Sequence, residues 1–211
     1  MRKYIIIVFA AILMLLNSCI EIGEKITINK DLSGHVEYQL SISEFASIFS
    51  GFIDNSIEMQ VKSEAGKFIE KLRDQPGISN VVYQSNLPSE GIKVSFDYAS
   101  TRDFNNALFA MGDAKKNLFT PGYLKANRHR VKKINFSNYL ALYLKKEDIE
   151  IPEQYLTDMI KFRSTISVPK EIKKSSGNNI KLSDDKFSAI QIFPVKQILH
   201  DKVNTGVKIR Y

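Results

Sequence analysis

The feature that most constrains this chain is an unbroken apolar run of 13 residues, Tyr4–Leu16, directly after Met1-Arg2-Lys3. As a helix it would rise about 20 Å, which is short of the ~30 Å hydrocarbon core of a bilayer. A positive start followed by about 7–15 apolar residues is typical of a secretion signal peptide. We therefore predict that residues 1–18 are a signal and that residues 19–211 form the folded part.

The run ends in Leu16-Asn17-Ser18-Cys19. This segment resembles the lipobox of bacterial lipoproteins, with Leu three positions before the Cys and a small residue just before it. The resemblance implies that the Cys19 thiol takes a diacylglycerol thioether, that the signal is cut before Cys19, and that the new amine is acylated, typically with palmitate. Two alternatives stay open: an ordinary signal peptide with a chance cysteine, or a short uncleaved anchor.

Cys19 is the single cysteine of the chain. An intramolecular disulfide and a cysteine-based metal cluster are therefore excluded. Removing the signal takes away Arg2 and Lys3 and no acidic residue, so the net charge falls from +7 to +5. Export argues against a nucleic-acid partner, and a mildly basic exported protein is better suited to an anionic membrane surface.

Two periodicities recur along residues 19–211. Alternating apolar and polar residues predict half-buried strands, and apolar residues spaced by three and four predict amphipathic helices. The best strand is Ile92–Tyr98, and a helix over roughly 57–74 is ended by Pro76-Gly77. The remaining predicted strands are at 20–28, 36–42, 78–85, 160–168, 187–193 and 207–211, with a basic strand-like stretch at 123–136 and a short strand between turns at 175–178 and 183–185. The remaining predicted helices are at 43–53, 101–111 and 138–147.

These elements predict a single α+β domain with a largely antiparallel sheet and amphipathic helices packed on one face. The first hairpin connection is Lys30–Gly34, where the Asp31 side chain can accept a hydrogen bond from the backbone two residues on and Gly34 can take a positive φ. Strict alternation of apolar strands and helices is missing, which weighs against a doubly wound parallel sheet.

The opening strand and turn, Ile26–Gly34, resemble those of uncharacterised lipoproteins from Bacteroidetes-type bacteria, with Leu32 where that family usually has Gly. The resemblance implies an envelope lipoprotein with no assigned chemistry. More remotely, the opening is similar to the LppM-type lipoprotein domain, which is associated with lipid binding. Further segments that resemble the Bacteroidetes-type family are Phe96-Asp97, Phe104–Leu108, Ile166–Lys174 and Leu182–Asp185.

Two segments are candidate binding sites. The first is a helical apolar stripe, interpreted as a core helix, a lid over an apolar pocket, or an interfacial helix. The second is a basic stretch, interpreted as a solvated hairpin or as a contact for anionic headgroups or polysaccharide. The stripe comprises Phe45, Ile48, Phe49, Phe52 and Ile53, and the basic stretch comprises Lys125, Arg128, Arg130, Lys132 and Lys133.

Catalytic signatures are missing from the sequence, since no G-x-S-x-G, H-E-x-x-H, P-loop or G-x-G-x-x-G motif occurs. The three histidines, His35, His129 and His200, lack metal-ligand spacing, and no cofactor is expected. We therefore expect a non-enzymatic envelope lipoprotein that is anchored to the membrane and binds a lipid-like ligand or an envelope component. The alternatives are an assembly module for a protein partner and, third, an envelope hydrolase.

Overall fold

The structure, a computed structural model, describes residues 20–42, 55–86, 91–111, 121–135, 137 and 160–211. Within these ranges the chain forms strands and three helices. The strands are β1 Ile20–Ile28, β2 Gly34–Ile42, β3 Ile78–Asn86, β4 Gly91–Tyr98, β5 Leu124–Asn127, β6 Arg130–Lys133, β7 Ile160–Ser167, β8 Lys174–Ser176, β9 Ile180–Leu182, β10 Ser188–Pro194 and β11 Val207–Arg210. The helices are α1 Asn55–Arg73, α2 Thr101–Met111 and α3 Val195–Leu199.

The strands form two sheets. The larger sheet has seven strands in the order β3-β4-β2-β1-β7-β10-β9, and the smaller has four in the order β5-β6-β11-β8. Within the larger sheet the β1–β7 pair is parallel and the other pairs are antiparallel. The α+β class and the largely antiparallel pairing are thus confirmed in broad terms. The described helices are few, and their packing on a single face stays a prediction.

One hydrophobic core contains residues from both sheets and from α1 and α2. Alternation explains this arrangement, because every second residue of a half-buried strand points to the same face. In β1 the buried side chains are Glu24, Ile26 and Ile28, whereas the intervening Lys25 and Thr27 are exposed. The same core takes Val131 from β6 and Ile209 from β11. The smaller sheet therefore buries one face and leaves the other to solvent.

In strands β1, β2 and β4 of the larger sheet, the face turned away from the core is polar, as the alternation in β2 predicts. Glu37 accepts hydrogen bonds from Lys25 and Lys93, and His35 bonds to Asp97 with an Nδ1–Oδ1 distance of 2.6 Å. The hydrogen bonds from Asn80 and from His35 hold the pKa of the Asp97 carboxyl below its usual range. This face consists of ordinary cross-strand pairs.

The turn between β1 and β2 differs from the prediction in one respect. Asp31 does accept hydrogen bonds from the Ser33 backbone N–H at 3.1 Å and from its hydroxyl at 2.7 Å. The positive φ, however, is at Leu32, with a value of 73°, and not at Gly34. Gly34 is required for space, because a Cβ there would overlap the carbonyl oxygen of Thr27 and the phenol ring of Tyr98.

A buried side chain fixes the edge of the smaller sheet. Asn105 of α2 donates from Nδ2 to the carbonyl oxygen of Leu124 at 2.8 Å and accepts from its backbone N–H at 2.9 Å. At the other end of β5, the Tyr211 hydroxyl donates to the carbonyl oxygen of Asn127 at 2.8 Å. These bonds hold β5 against the core, and so determine which of its side chains face outward.

Candidate functional site

The solvent-exposed face of the smaller sheet carries a dense positive charge. In β6, Val131 and Lys133 point into the molecule while Arg130 and Lys132 point out. The same alternation in β11 buries Val207 and Ile209 and exposes the residues between and after them. We call this surface the cationic face; its residues are Lys125, Asn127, Arg130, Lys132, Lys174, Ser176, Lys208 and Arg210.

Strand register arranges these side chains in two rows that cross the sheet. Directly opposite residues in neighbouring strands lie about 5 Å apart. Six of the eight positions on this face carry a positive charge, and neither row contains an acidic residue. The first row is Lys125, Lys132, Lys208 and Ser176, and the second is Asn127, Arg130, Arg210 and Lys174.

Such rows are unfavourable for the protein alone, because like charges placed directly opposite each other across strands repel. Lys132 faces a lysine on each side, in β5 and in β11. Their mutual repulsion falls when a bound anion neutralises them. The arrangement therefore suits a ligand with several negative charges, and the face carries no aromatic ring on which a base or a sugar could stack.

Two adjacent depressions open along the cationic face. One has a volume of about 440 Å³ and is lined by both rows, including Arg130, Lys174 and Arg210. The other has a volume of about 340 Å³, lies at the Ser176 end of the first row, and reaches past Lys132 to Asn135 and Asn204. The linings of both depressions contain no acidic residue.

The basic stretch found in the sequence is divided by the fold. Lys125, Arg130 and Lys132 lie on the cationic face, and Arg128 is exposed in the turn between β5 and β6. The prediction that Lys133 contacts an anionic ligand is corrected by the structure. Its side chain is fully buried on the opposite face of the same strand and is out of reach of an external anion. Three members of the face were not predicted from the sequence, although the alternation of Val207–Tyr211 is a signal for two of them; they are Lys174, Lys208 and Arg210.

Lys133 belongs instead to a buried polar cluster that joins the two sheets. Its Nζ donates to Glu24 Oε2 at 3.0 Å and to Ser164 Oγ at 2.5 Å. The Ser164 hydroxyl donates in turn to Glu24 Oε2 at 2.7 Å, and the Tyr123 hydroxyl donates to Oε1 at 2.7 Å. The rings of Tyr123 and Phe162 lie 5.9 and 5.6 Å from Nζ. Both oxygens of the buried carboxylate thus have partners.

This buried polar cluster links the two sheets and is closed to solvent. The side chains of Lys133 and Glu24 are 0% and 2% exposed, so a substrate has no approach to them. The Lys133 Nζ is engaged in hydrogen bonds to Glu24 and Ser164. Burial, with the Glu24 carboxylate nearby, raises the pKa of the Tyr123 phenol well above its usual range, so it remains a hydrogen-bond donor. Lack of enzymatic activity in the chain as a whole stays a prediction.

Other predicted sites lie outside the described residues. These are the lipobox residues Leu16 and Ser18 with Cys19, and the apolar stripe Phe45, Ile48, Phe49, Phe52 and Ile53. Within the described ranges, no three His, Cys, Asp or Glu side chains group in a way that could hold a metal ion. None of the helices in these ranges has both the length and the apolar character needed to span a bilayer.

No family model and no curated protein matches the chain. A solved structure with a related arrangement is the NMR structure of the folded domain of LppM from Mycobacterium tuberculosis, which is 9% identical, with coverage of 92% of this chain and 90% of that one and a TM-score of 0.46.

Proposed function

We propose that the chain is a membrane-anchored lipoprotein of the bacterial cell envelope that binds the phosphate groups of anionic lipids through its cationic face. The observation that supports the binding is the pair of rows in which six Lys and Arg residues stand together without an acid. The anchor rests on the lipobox resemblance at Cys19. No chemical transformation is part of this proposal.

The energetics are sufficient for such a role. Each basic residue held near an anionic membrane surface contributes about 1 kcal/mol. Six residues would together contribute roughly 6 kcal/mol if all reach the surface at once, an upper bound that falls as salt screens exposed charges. The face is also formed on strands rather than on loops, so its charges are arranged before the ligand arrives.

Binding is tested with the full chain purified in a neutral detergent and titrated with micelles that contain phosphatidylglycerol or phosphatidylcholine. We expect phosphatidylglycerol to shift the backbone amide resonances of β6 and β11, and phosphatidylcholine to leave them in place. Raising the salt concentration should weaken the effect. Equal responses to the two lipids would contradict the proposal.

A charge-reversal variant provides a second test of lipid binding by the cationic face. Lys132→Glu/Lys208→Glu/Arg210→Glu should weaken phosphatidylglycerol binding at least tenfold. The matched control makes the same change of charge at three exposed lysines elsewhere and should retain most of the binding. The control positions are Lys170, Lys181 and Lys196.

A further inference from the structure

The smaller depression on the cationic face is lined by hydrogen-bond donors, and backbone contacts fix the orientation of two of them, the amides of Asn135 and Asn204. It lies at the Ser176 end of the first row, between β6, the turn after β8 and the segment before β11. Lys132 and Lys208 come from the exposed side of the sheet. Asn135 and Asn204 come from the segments that follow β6 and precede β11.

The amide of Asn135 has a defined orientation. Its Oδ1 accepts hydrogen bonds from the Thr205 backbone N–H at 3.1 Å, from the Thr205 hydroxyl at 3.1 Å and from the Ser137 backbone N–H at 3.3 Å. Because a backbone N–H can only donate, the atom that it meets must be the oxygen. The Nδ2 group is therefore the other branch of the amide and is the donor that remains for a ligand.

The amide of Asn204 is oriented in the same way, by one accepted hydrogen bond instead of three. Its Oδ1 accepts from the Gly206 backbone N–H at 2.9 Å, which again leaves the Nδ2 group as the donor. The walls of the depression also approach each other closely. A Cβ on Gly177 would lie 2.5 Å from the carbonyl oxygen of Gly206, so these two walls can meet in this way only with glycine at position 177.

We propose that this depression binds a phosphomonoester, the terminal phosphate of an anionic lipid headgroup. Its side chains offer two ammonium groups, two amide NH2 groups and one hydroxyl, and no carboxylate. A terminal phosphate carries a charge of about −1.5 to −2 and three acceptor oxygens. A phosphodiester has one negative charge and two free oxygens, and so uses fewer of these donors. The inference rests on the proposed function, because it assigns one group of the same ligand to one place on the same face.

The experiment uses the full chain in neutral detergent and three probes: dihexanoyl phosphatidic acid, dihexanoyl phosphatidylglycerol and inorganic phosphate. We expect phosphatidic acid, a monoester, to bind at least tenfold more tightly than phosphatidylglycerol, a diester. Inorganic phosphate that binds as tightly as phosphatidic acid would support the site and identify soluble phosphate as its source of ligand.

The decisive variant is Asn204→Asp, which keeps Oδ1 for the Gly206 N–H and replaces the donor by a negative oxygen. Asn127→Asp is the matched control, because Asn127 lies on the same face and its Oδ1 likewise accepts a backbone N–H, that of His129, at 3.0 Å. We expect N204D to reduce phosphatidic acid binding at least tenfold more than N127D does. Asn135→Asp, which also keeps its three accepted bonds, should repeat the result.

The outcomes separate the two proposals. If both lipids bind equally and N204D behaves like N127D, the phosphomonoester site is wrong while the function of the face stands. If neither lipid binds, or if the charge reversals on the face leave lipid binding unchanged, the proposed function itself is wrong. Thermal unfolding of each variant checks that the comparison is made between folded proteins.

Discussion

At the scale of single residues, the first turn shows what local sequence can and cannot reveal. Asp31 and Gly34 mark a turn by their chemistry, and the turn is there. The left-handed residue, however, is Leu32, whose side chain packs against the core and so holds a conformation that costs about 1–2 kcal/mol. The need for glycine at position 34 depends on the Thr27 carbonyl oxygen and also on Tyr98, which is more than 60 residues away and cannot be read from the turn itself.

Replacing Gly34 by Ala should therefore destabilise the fold. The added methyl group overlaps the Thr27 carbonyl oxygen and the Tyr98 ring, and such overpacking costs about 1–3 kcal/mol. Gly23→Ala is the matched control on the same pair of strands, because its Cβ would make ordinary contacts at 3.6 and 3.7 Å with Gln39. Urea unfolding followed by circular dichroism gives both free energies, and equal losses would contradict the explanation.

At the scale of secondary structure, periodicity predicted most of the described elements. The strands β1, β2, β4 and β7 and the helix α1 fall close to their predicted ranges, because each shows several repeats of one period. The five-residue helix α3 was missed, since so short an element shows little more than one turn of pattern. The predicted helices at 43–53 and 138–147 lie outside the described residues.

Which strands pair with each other was harder to predict from the sequence than where the strands lie. Hairpin signals predict neighbours that are adjacent in sequence, such as β1 and β2. The parallel pair β1–β7 and the division into two sheets depend on contacts between distant segments. The burial of Lys133 is of this kind, because its carboxylate partner Glu24 lies 109 residues earlier. Composition alone cannot tell a buried lysine from the exposed ones beside it.

The contribution of the buried polar cluster to stability can be tested with a double-mutant cycle. Lys133→Met leaves the Glu24 carboxylate buried without its cation, and removing one partner of a buried ion pair costs about 3–5 kcal/mol. Adding Glu24→Gln should recover much of that loss, because a neutral amide still accepts the Tyr123 hydroxyl. Lys132→Met, one position away on the exposed face, should change the free energy of unfolding by less than about 0.5 kcal/mol. A double variant no more stable than Lys133→Met would contradict this account.

At the scale of the whole molecule, the candidate site is larger than the sequence indicated. The basic hairpin was visible as a local run of charge, but half of the cationic residues come from β8 and β11, which join it only in the folded sheet. A net charge of +7 does not reveal this concentration either, since acidic residues such as Glu37 and Asp97 lie on the larger sheet. The placement of the charge, more than its sum, supports the proposed function.

The anchor is tested by changing the cysteine that the lipobox resemblance singles out. Cys19→Ser should abolish incorporation of labelled palmitate and leave a precursor that keeps residues 1–18, because the thioether cannot form. Intact-mass spectrometry of the membrane fraction measures both effects. Ser18→Ala, which keeps a small residue before the cysteine, should be processed and lipidated normally. A Cys19→Ser chain of unchanged mass and labelling would contradict the lipoprotein assignment.

The position of β1 has a consequence for the order of folding. β1 lies inside the larger sheet, yet its partner in β7 enters 140 residues later, as the contact between Glu24 and Ser164 shows. A chain exported from its N-terminus can form the β1–β2 hairpin early, but one edge of β1 then has no strand beside it until β7 has also crossed. Pairing across so long a loop is slow, and an open strand edge invites association with other chains. For the exported lipoprotein that we propose, we therefore expect an interval in which the open edge of its central strand needs protection by a chaperone or by the bilayer.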